Sequence, residues 1–248
     1  MPDNTKGMNY FMSTRLDYYL RNTDKFPFPG FFQGVNETWQ ALEKATQMLN
    51  EMFAKANVKE MRGSFMGNEP SFYGNYFVDE GTEIYNDVTI IGPVYIGKNC
   101  EIMPGAVIRP NTIIGDGCSI GHGSEVKHSI LMDGSKVASL AFVGDSILGV
   151  SARIGSGVIT ANRKFNQSNV TVKIAGRPVD LRSGFFGCVL GDAARIGANS
   201  VTQPGTHIGP HTWIFPITNV RGFIPEAKRV FSKQELVYEN NEIIELKP

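Results

Sequence analysis

Cysteine is scarce: Cys100, Cys118 and Cys188 are the only three in 248 residues, an odd number with no CxxC spacing. That excludes a disulfide scaffold and leaves small buried thiols as the reading. Net charge is missing as well, because 24 Lys and Arg balance 24 Asp and Glu. Nothing in the total therefore points to nucleic acid or an anionic membrane as a partner, and any phosphate recognition has to be local. No window approaches the ~18 apolar residues of a spanning helix. The opening MPDNTKGMNYF lacks the basic start and apolar stretch of a secretory signal, so the expected location is cytoplasmic.

What is present is a period. From Val78 an aliphatic residue recurs every six positions: Ile84, Ile90, Ile96, Ile102, Ile108, Ile114, Ile120 and Val126 follow without a slip. After a one-residue contraction the series continues at Leu131, Val137 and Val143, then at Leu148 and Ile154. It resumes at Leu190, Ile196, Thr202, Ile208, Ile214 and Val220, with Thr202 the one polar member. Such self-similarity marks a solenoid.

Two other positions of the hexad are restricted. The residue after the aliphatic one is often glycine (Gly97, Gly115, Gly121, Gly155, Gly191, Gly197, Gly209), as expected for a sharp turn with positive φ. Four residues after it the side chain is small or β-branched: Thr82, Val88, Val94, Cys100, Ala106, Thr112, Cys118, Ser124. A short strand plus a turn makes one flat face, and three faces close a coil of about 18 residues that stacks on the next at the ~4.8 Å strand spacing. The hexads would fill somewhat over six coils, a prism roughly 30 Å tall at that rise. Its winding hand does not follow from the period.

The expected organisation is thus all-β with a small helical part in front: an irregular and helical region over 1–77, a parallel β-helix over 78–220, and a tail over 221–248. In the first region Asn36 is expected to cap a helix running to about Ala56, with Trp39, Leu42, Leu49, Met52 and Phe53 as its apolar stripe. Residues 1–35 and 57–77 read as irregular structure packed on that helix. Residues 160–189 break the period, and their alternating stretch VTVKIAGRPV suggests an outward loop, partly a hairpin, of the length that usually carries function. The tail offers the amphipathic PEAKRVF and a last strand in NEIIEL.

Because Ile and Val fill the interior, chemistry has to sit on the outside, at turns. Arg109 in IRPN and Lys127 in EVKH lie 18 residues apart, one coil, and should stack on one edge. Two stacked cations repel unless an anion bridges them; the alternative is a pair of solvated charges.

The segments AVIRPNTIIG, HGSEVKHSILMDGSKV, VGDSILG, IGSGVITANRKF and RSGFFGCVLGDAARIGANSVTQPGTHIG resemble the C-terminal half of the bifunctional enzymes that join a sugar-1-phosphate nucleotidyltransferase to an amino-sugar-1-phosphate acetyltransferase. The resemblance covers about half of the chain. It implies a left-handed β-helix, a homotrimer, acetyl-CoA or another acyl-CoA as cofactor, and an amino-sugar phosphate as acceptor. Arg109 and Lys127 match residues that hold the sugar phosphate, and Asn162 matches a residue of the same groove. Ser139 stands where the family has its catalytic His, Phe142 where it has Tyr, and Arg153 where it has Asn. Ser156, Ala198 and Pro216 match the small residues along the acyl-CoA arm. The nucleotidyltransferase half is not expected, since no Gly-rich nucleotide loop opens the chain and 77 residues are too few for it.

A base that takes the ammonium proton is worth ~10²–10⁴ in rate, and a serine hydroxyl cannot supply it unaided; a substitute base would have to come from the other histidines, of which His122 and His128 are near Lys127 in sequence and His207 and His211 are remote. Two functions follow: an acyl-CoA-dependent transferase acting on an amino-sugar phosphate or nucleotide sugar, or a sugar-phosphate-binding or regulatory trimer that has lost the chemistry. The trimeric zinc carbonic anhydrases on this scaffold need three convergent His, and His122, His128, His207 and His211 do not reproduce that pattern, so no metal is expected.

Overall fold

A computed structural model describes residues 14–54, 58–174 and 177–238. Three parallel sheets of nine, nine and eight strands form the walls of a left-handed β-helix. The first sheet runs from Lys59–Met61 to Phe223–Ile224, the second from Ser64–Met66 to Arg229–Val230, and the third from Ser71–Tyr73 to Asn219–Val220. Pairing is in register from coil to coil, for example Ile102 on Ile120 and Ile120 on Val137. The hexad residues Ile84 to Ile120 are fully buried inside, stacked so that each covers the next.

The prism extends past both expected boundaries. A coil precedes Val78, because Met61, Phe65 and Phe72 take the places of Val78, Ile84 and Ile90 one rung earlier. Residues 58–77 are therefore solenoid and not irregular packing. At the other end Ile224 and Val230 continue the columns of Ile208 and Ile214.

Glycine after the aliphatic residue has a different cause from the one expected. Left-handed φ falls three positions after it, at Gly81, Asp87, Asn99, Gly105, Asn111, Gly117 and Gly123. At Gly121 the constraint is proximity, since a Cβ would lie 2.5 Å from the backbone of Ala138 and Ser139 in the next coil. The small positions are buried, and the hydroxyls of Thr82 and Ser124 join successive coils: Thr82 Oγ1 donates to the Gly97 carbonyl at 2.6 Å and accepts from the Cys100 N–H at 3.0 Å. All three cysteines are buried and free.

Helix α1 (Leu16–Tyr19) and helix α2 (Thr38–Ala54) cover the outer face of the first sheet. Before α2 the N–H groups of Asn36 and Glu37 donate to Gln40 Oε1 at 3.0 and 2.9 Å, so the cap comes from Gln40 rather than from the Asn36 side chain. Leu42, Leu49 and Phe53 are buried with Ala41 and Ala45, while Trp39 and Met52 are partly buried. They pack in one cluster with the outward Ile113, Ile130, Ile147 and Val189 of the first sheet. Ala56 and the segment NEIIEL lie outside the described residues. The insertion does hold a hairpin, Thr171–Ile174 against Arg177–Asp180. It does not stand free: Val170, Val172, Leu181 and Phe186 are buried in that same outer cluster.

Candidate functional site

Arg109 and Lys127 do share one face. Register on the third sheet pairs Val126 with Ile108 and Lys127 with Gly144, and the Arg109 N–H donates to the Val126 carbonyl at 2.8 Å. Arg109, Lys127 and Gly144 thus form an outward column over three coils.

Above Lys127 the column has no side chain, and two others lean into the gap. A Cβ on Gly144 would fall 2.7 Å from Asn162 Nδ2 and 2.7 Å from the Phe142 ring, so both residues converge over that glycine. Asn162 Nδ2 donates to Asp145 Oδ2 at 2.6 Å, and Lys127 Nζ stands 3.3 Å from the same oxygen. His128 Nδ1 donates to Asp145 Oδ1 at 2.6 Å, and its Nε2 lies 3.0 Å from the Thr46 hydroxyl of α2. Burial, the largest influence, pushes the Asp145 carboxyl up. The hydrogen bonds from His128 and Asn162 and the charges of His128 and Lys127 outweigh it and hold the group below its ordinary value.

The insertion returns to this face. The Phe186 N–H donates to the Asn162 carbonyl at 2.9 Å, and the Phe185 ring stands 4.7 Å from Lys127 Nζ and 5.1 Å from the Arg163 guanidinium. The two stacked cations are not left to repel: Arg109 Nη1 meets Glu125 Oε1 at 2.6 Å while Lys127 faces Asp145. Carboxylates of the protein fill the role that the spacing had given to a bridging anion. The Arg109 side chain is still 43% exposed, and among the described residues only its Nη1 is engaged, which leaves further donors for a ligand.

Ser139 stands elsewhere, on the corner between the second and third sheets. Its carbonyl accepts the Gly157 N–H at 3.0 Å, as the Ser156 carbonyl accepts from Asn199 at 2.9 Å and the Ala198 carbonyl from Ile217 at 3.0 Å. Ser139, Ser156 and Ala198 are therefore equivalent residues of successive coils, and Pro216 follows by the pairing of Ile196 with Ile214. The acyl-CoA candidates form one low, accessible corner column. Arg153 is separate from both groups: it is exposed on the second sheet beside Arg195, away from Lys127 and Asn162.

Glu125, Asp145 and Phe185 escaped the sequence reading, which held His128 only as a histidine near Lys127 and not as the partner of Asp145. Asp145 follows Lys127 by the same 18 residues that separate Lys127 from Arg109, a signal available to anyone looking for counter-charges. Phe185 carries none. Among the described residues no group of three His, Cys, Asp or Glu could hold a metal ion, and no helix is long and apolar enough to cross a membrane.

Residues 90–211 match the family described as GMPPB C-terminal domain. The chain is 34% identical over 209 residues to the "Bifunctional protein GlmU" of Methanococcus maripaludis, a match that covers 84% of this chain and 49% of that protein. It is 30% identical over 189 residues to the "Bifunctional sugar-1-phosphate nucleotidylyltransferase/acetyltransferase" of Sulfurisphaera tokodaii, covering 76% and 46%. The chain thus spans about half the length of the curated relatives it matches. Among solved structures it is similar to the acetyltransferase domain of PglB from Neisseria gonorrhoeae, at 18% identity and a TM-score of 0.35, over 61% of this chain and 54% of that one. The chain is a hexapeptide-repeat β-helix protein related to the C-terminal domain of the bifunctional sugar-1-phosphate nucleotidylyltransferase and acetyltransferase proteins.

Proposed function

We propose that the protein is an acyl-CoA-dependent transferase, acting as a cytoplasmic homotrimer on an amino-sugar phosphate or a nucleotide sugar. The observation that carries this reading is the convergence of Lys127, Phe142 and Asn162 around the bare backbone of Gly144, with Arg109 one coil below. A sugar fits against an aromatic ring and an amide, and its phosphate fits against two cations whose present partners are carboxylates. The corner column of Ser139, Ser156, Ala198 and Pro216 is itself built of small residues, which suits the narrow arm of acetyl-CoA. That arm supplies an activated acyl group; the chain's part is to orient the acceptor nitrogen toward it and remove a proton. Exposed Trp213, Phe215, Ile217 and Phe231 on the last coils offer apolar surface for packing between subunits.

One observation favours the second reading, a sugar-phosphate-binding trimer without turnover: Ser139 holds no base. A thermal-shift panel of acetyl-CoA, CoA and amino-sugar 1-phosphates, followed by an assay of thiol release, separates the two. Stabilisation by both ligands with thiol release supports the transferase; stabilisation by the sugar phosphate alone, without release, supports the binding trimer.

A further inference from the structure

We infer that His122 supplies the general base that Ser139 cannot, one coil earlier on the same corner; this rests on the transferase reading. The Leu140 N–H donates to the His122 carbonyl at 2.8 Å, the bond that Gly157 makes to Ser139 in the next coil. Register of Ile120 with Val137 gives the same alignment. His122 is therefore the rung below Ser139, displaced by the ~4.8 Å strand spacing along the prism axis.

The ring is oriented for the task. His122 Nδ1 lies 2.7 Å from the Pro104 carbonyl oxygen, which can only accept, so Nδ1 carries a proton and, in the neutral ring, Nε2 is the nitrogen with the free lone pair. The side chain is exposed, and among the described residues Nε2 has no partner. The other histidines are committed or misplaced. His128 bridges Asp145 and Thr46. His207 is buried between the Gly205 carbonyl and Thr38. His211 stands three residues after Ile208, on the corner between the first and second sheets.

Lys127 lies on the same coil as His122, five residues along the third face. Anion seat and base are thus fixed to one rung. In the reaction the acceptor amine attacks the thioester carbonyl carbon and a C–N bond forms. His122 Nε2 takes the proton released from that nitrogen. The C–S bond breaks, and the departing CoA thiolate recovers the proton from the imidazolium to leave as the free thiol. Product is the N-acyl amide.

The test measures thiol release from acetyl-CoA with a panel of amino-sugar 1-phosphates. For His122→Ala, kcat should fall ~10²–10⁴-fold with KM for acetyl-CoA held within about twofold, added imidazole should restore part of the rate, and His122→Ala with Ser139→His should recover it by returning a base to the next rung. A His122→Ala rate equal to that of the unaltered protein overturns the assignment while leaving the transferase intact. So does a lowered rate that imidazole and Ser139→His both fail to raise. Absence of thiol release from the unaltered protein overturns the transferase reading, and this assignment with it.

Discussion

Glu125 closes on Arg109 at 2.6 Å across one coil of the third sheet, occupying a guanidinium that the binding reading assigns to phosphate. The pair is 35–43% exposed, so it is worth only ~0.2–1 kcal/mol. A phosphate has to displace that carboxylate. Glu125→Gln should therefore tighten glucosamine 1-phosphate binding by up to about fivefold, whereas Arg109→Ala or Lys127→Ala should abolish the thermal shift. Calorimetric titration of the three variants checks this.

Asp145 ties three donors from different parts of the chain. Asp145→Asn cannot accept from all of them, and leaving a buried partner unsatisfied costs ~1–3 kcal/mol. Because the native carboxyl is held below its ordinary value, its contribution is complete above the unfolded carboxylate range and is lost as pH falls through the folded value. Urea melts at pH 7 should show the loss of stability in Asp145→Asn, and the difference from the native protein should shrink under strongly acidic conditions.

His207 behaves in the opposite chemical sense. Burial pushes its imidazole down to about 4, so the unfolded chain binds a proton near pH 6.5 that the folded chain refuses. Stability is full above that range and falls as pH drops from about 6.5 toward 4. Thermal melts should show a lower Tm at pH 5 than at pH 7.5, and His207→Gln should flatten that difference.

Two glycines separate the scaffold from the site. Gly144→Ala meets side chains, the Asn162 amide and the Phe142 ring at 2.7 Å, which can swing aside. Gly121→Ala meets backbone at 2.5 Å, which cannot. The first should lose sugar-phosphate binding with a Tm within a few degrees of native. The second should lower Tm markedly, with the stability loss of ~1–3 kcal/mol typical of an overpacked core.

The six-residue rhythm made the walls legible from Val78 to Val220, because aliphatic residues keep that spacing over long runs, broken only by two five-residue steps and the insertion at 160–189. The first coil hid because Met61, Phe65 and Phe72 replace aliphatics and the step from Phe65 to Phe72 is seven residues. The last strands hid because Val220 to Ile224 is a step of four. At the site, the column of Arg109 over Lys127 followed from an 18-residue offset, but their partners did not. A search for like charges does not ask which carboxylates sit on the neighbouring rung. The glycine rule was right in position and wrong in cause, since a pattern shows where small residues recur without showing whether torsion or contact demands them. Phe185 reaches Lys127 through an irregular insertion, and no period encodes such a path.

The corners of this solenoid work as a graduated ruler. Pro104, His122, Ser139, Ser156 and Ala198 hold interchangeable backbone positions, so a functional group exchanged between them travels by a whole number of ~4.8 Å steps along one straight line. A site on such a scaffold is retuned in discrete increments, with the walls untouched, where a loop-borne site would have to be rebuilt.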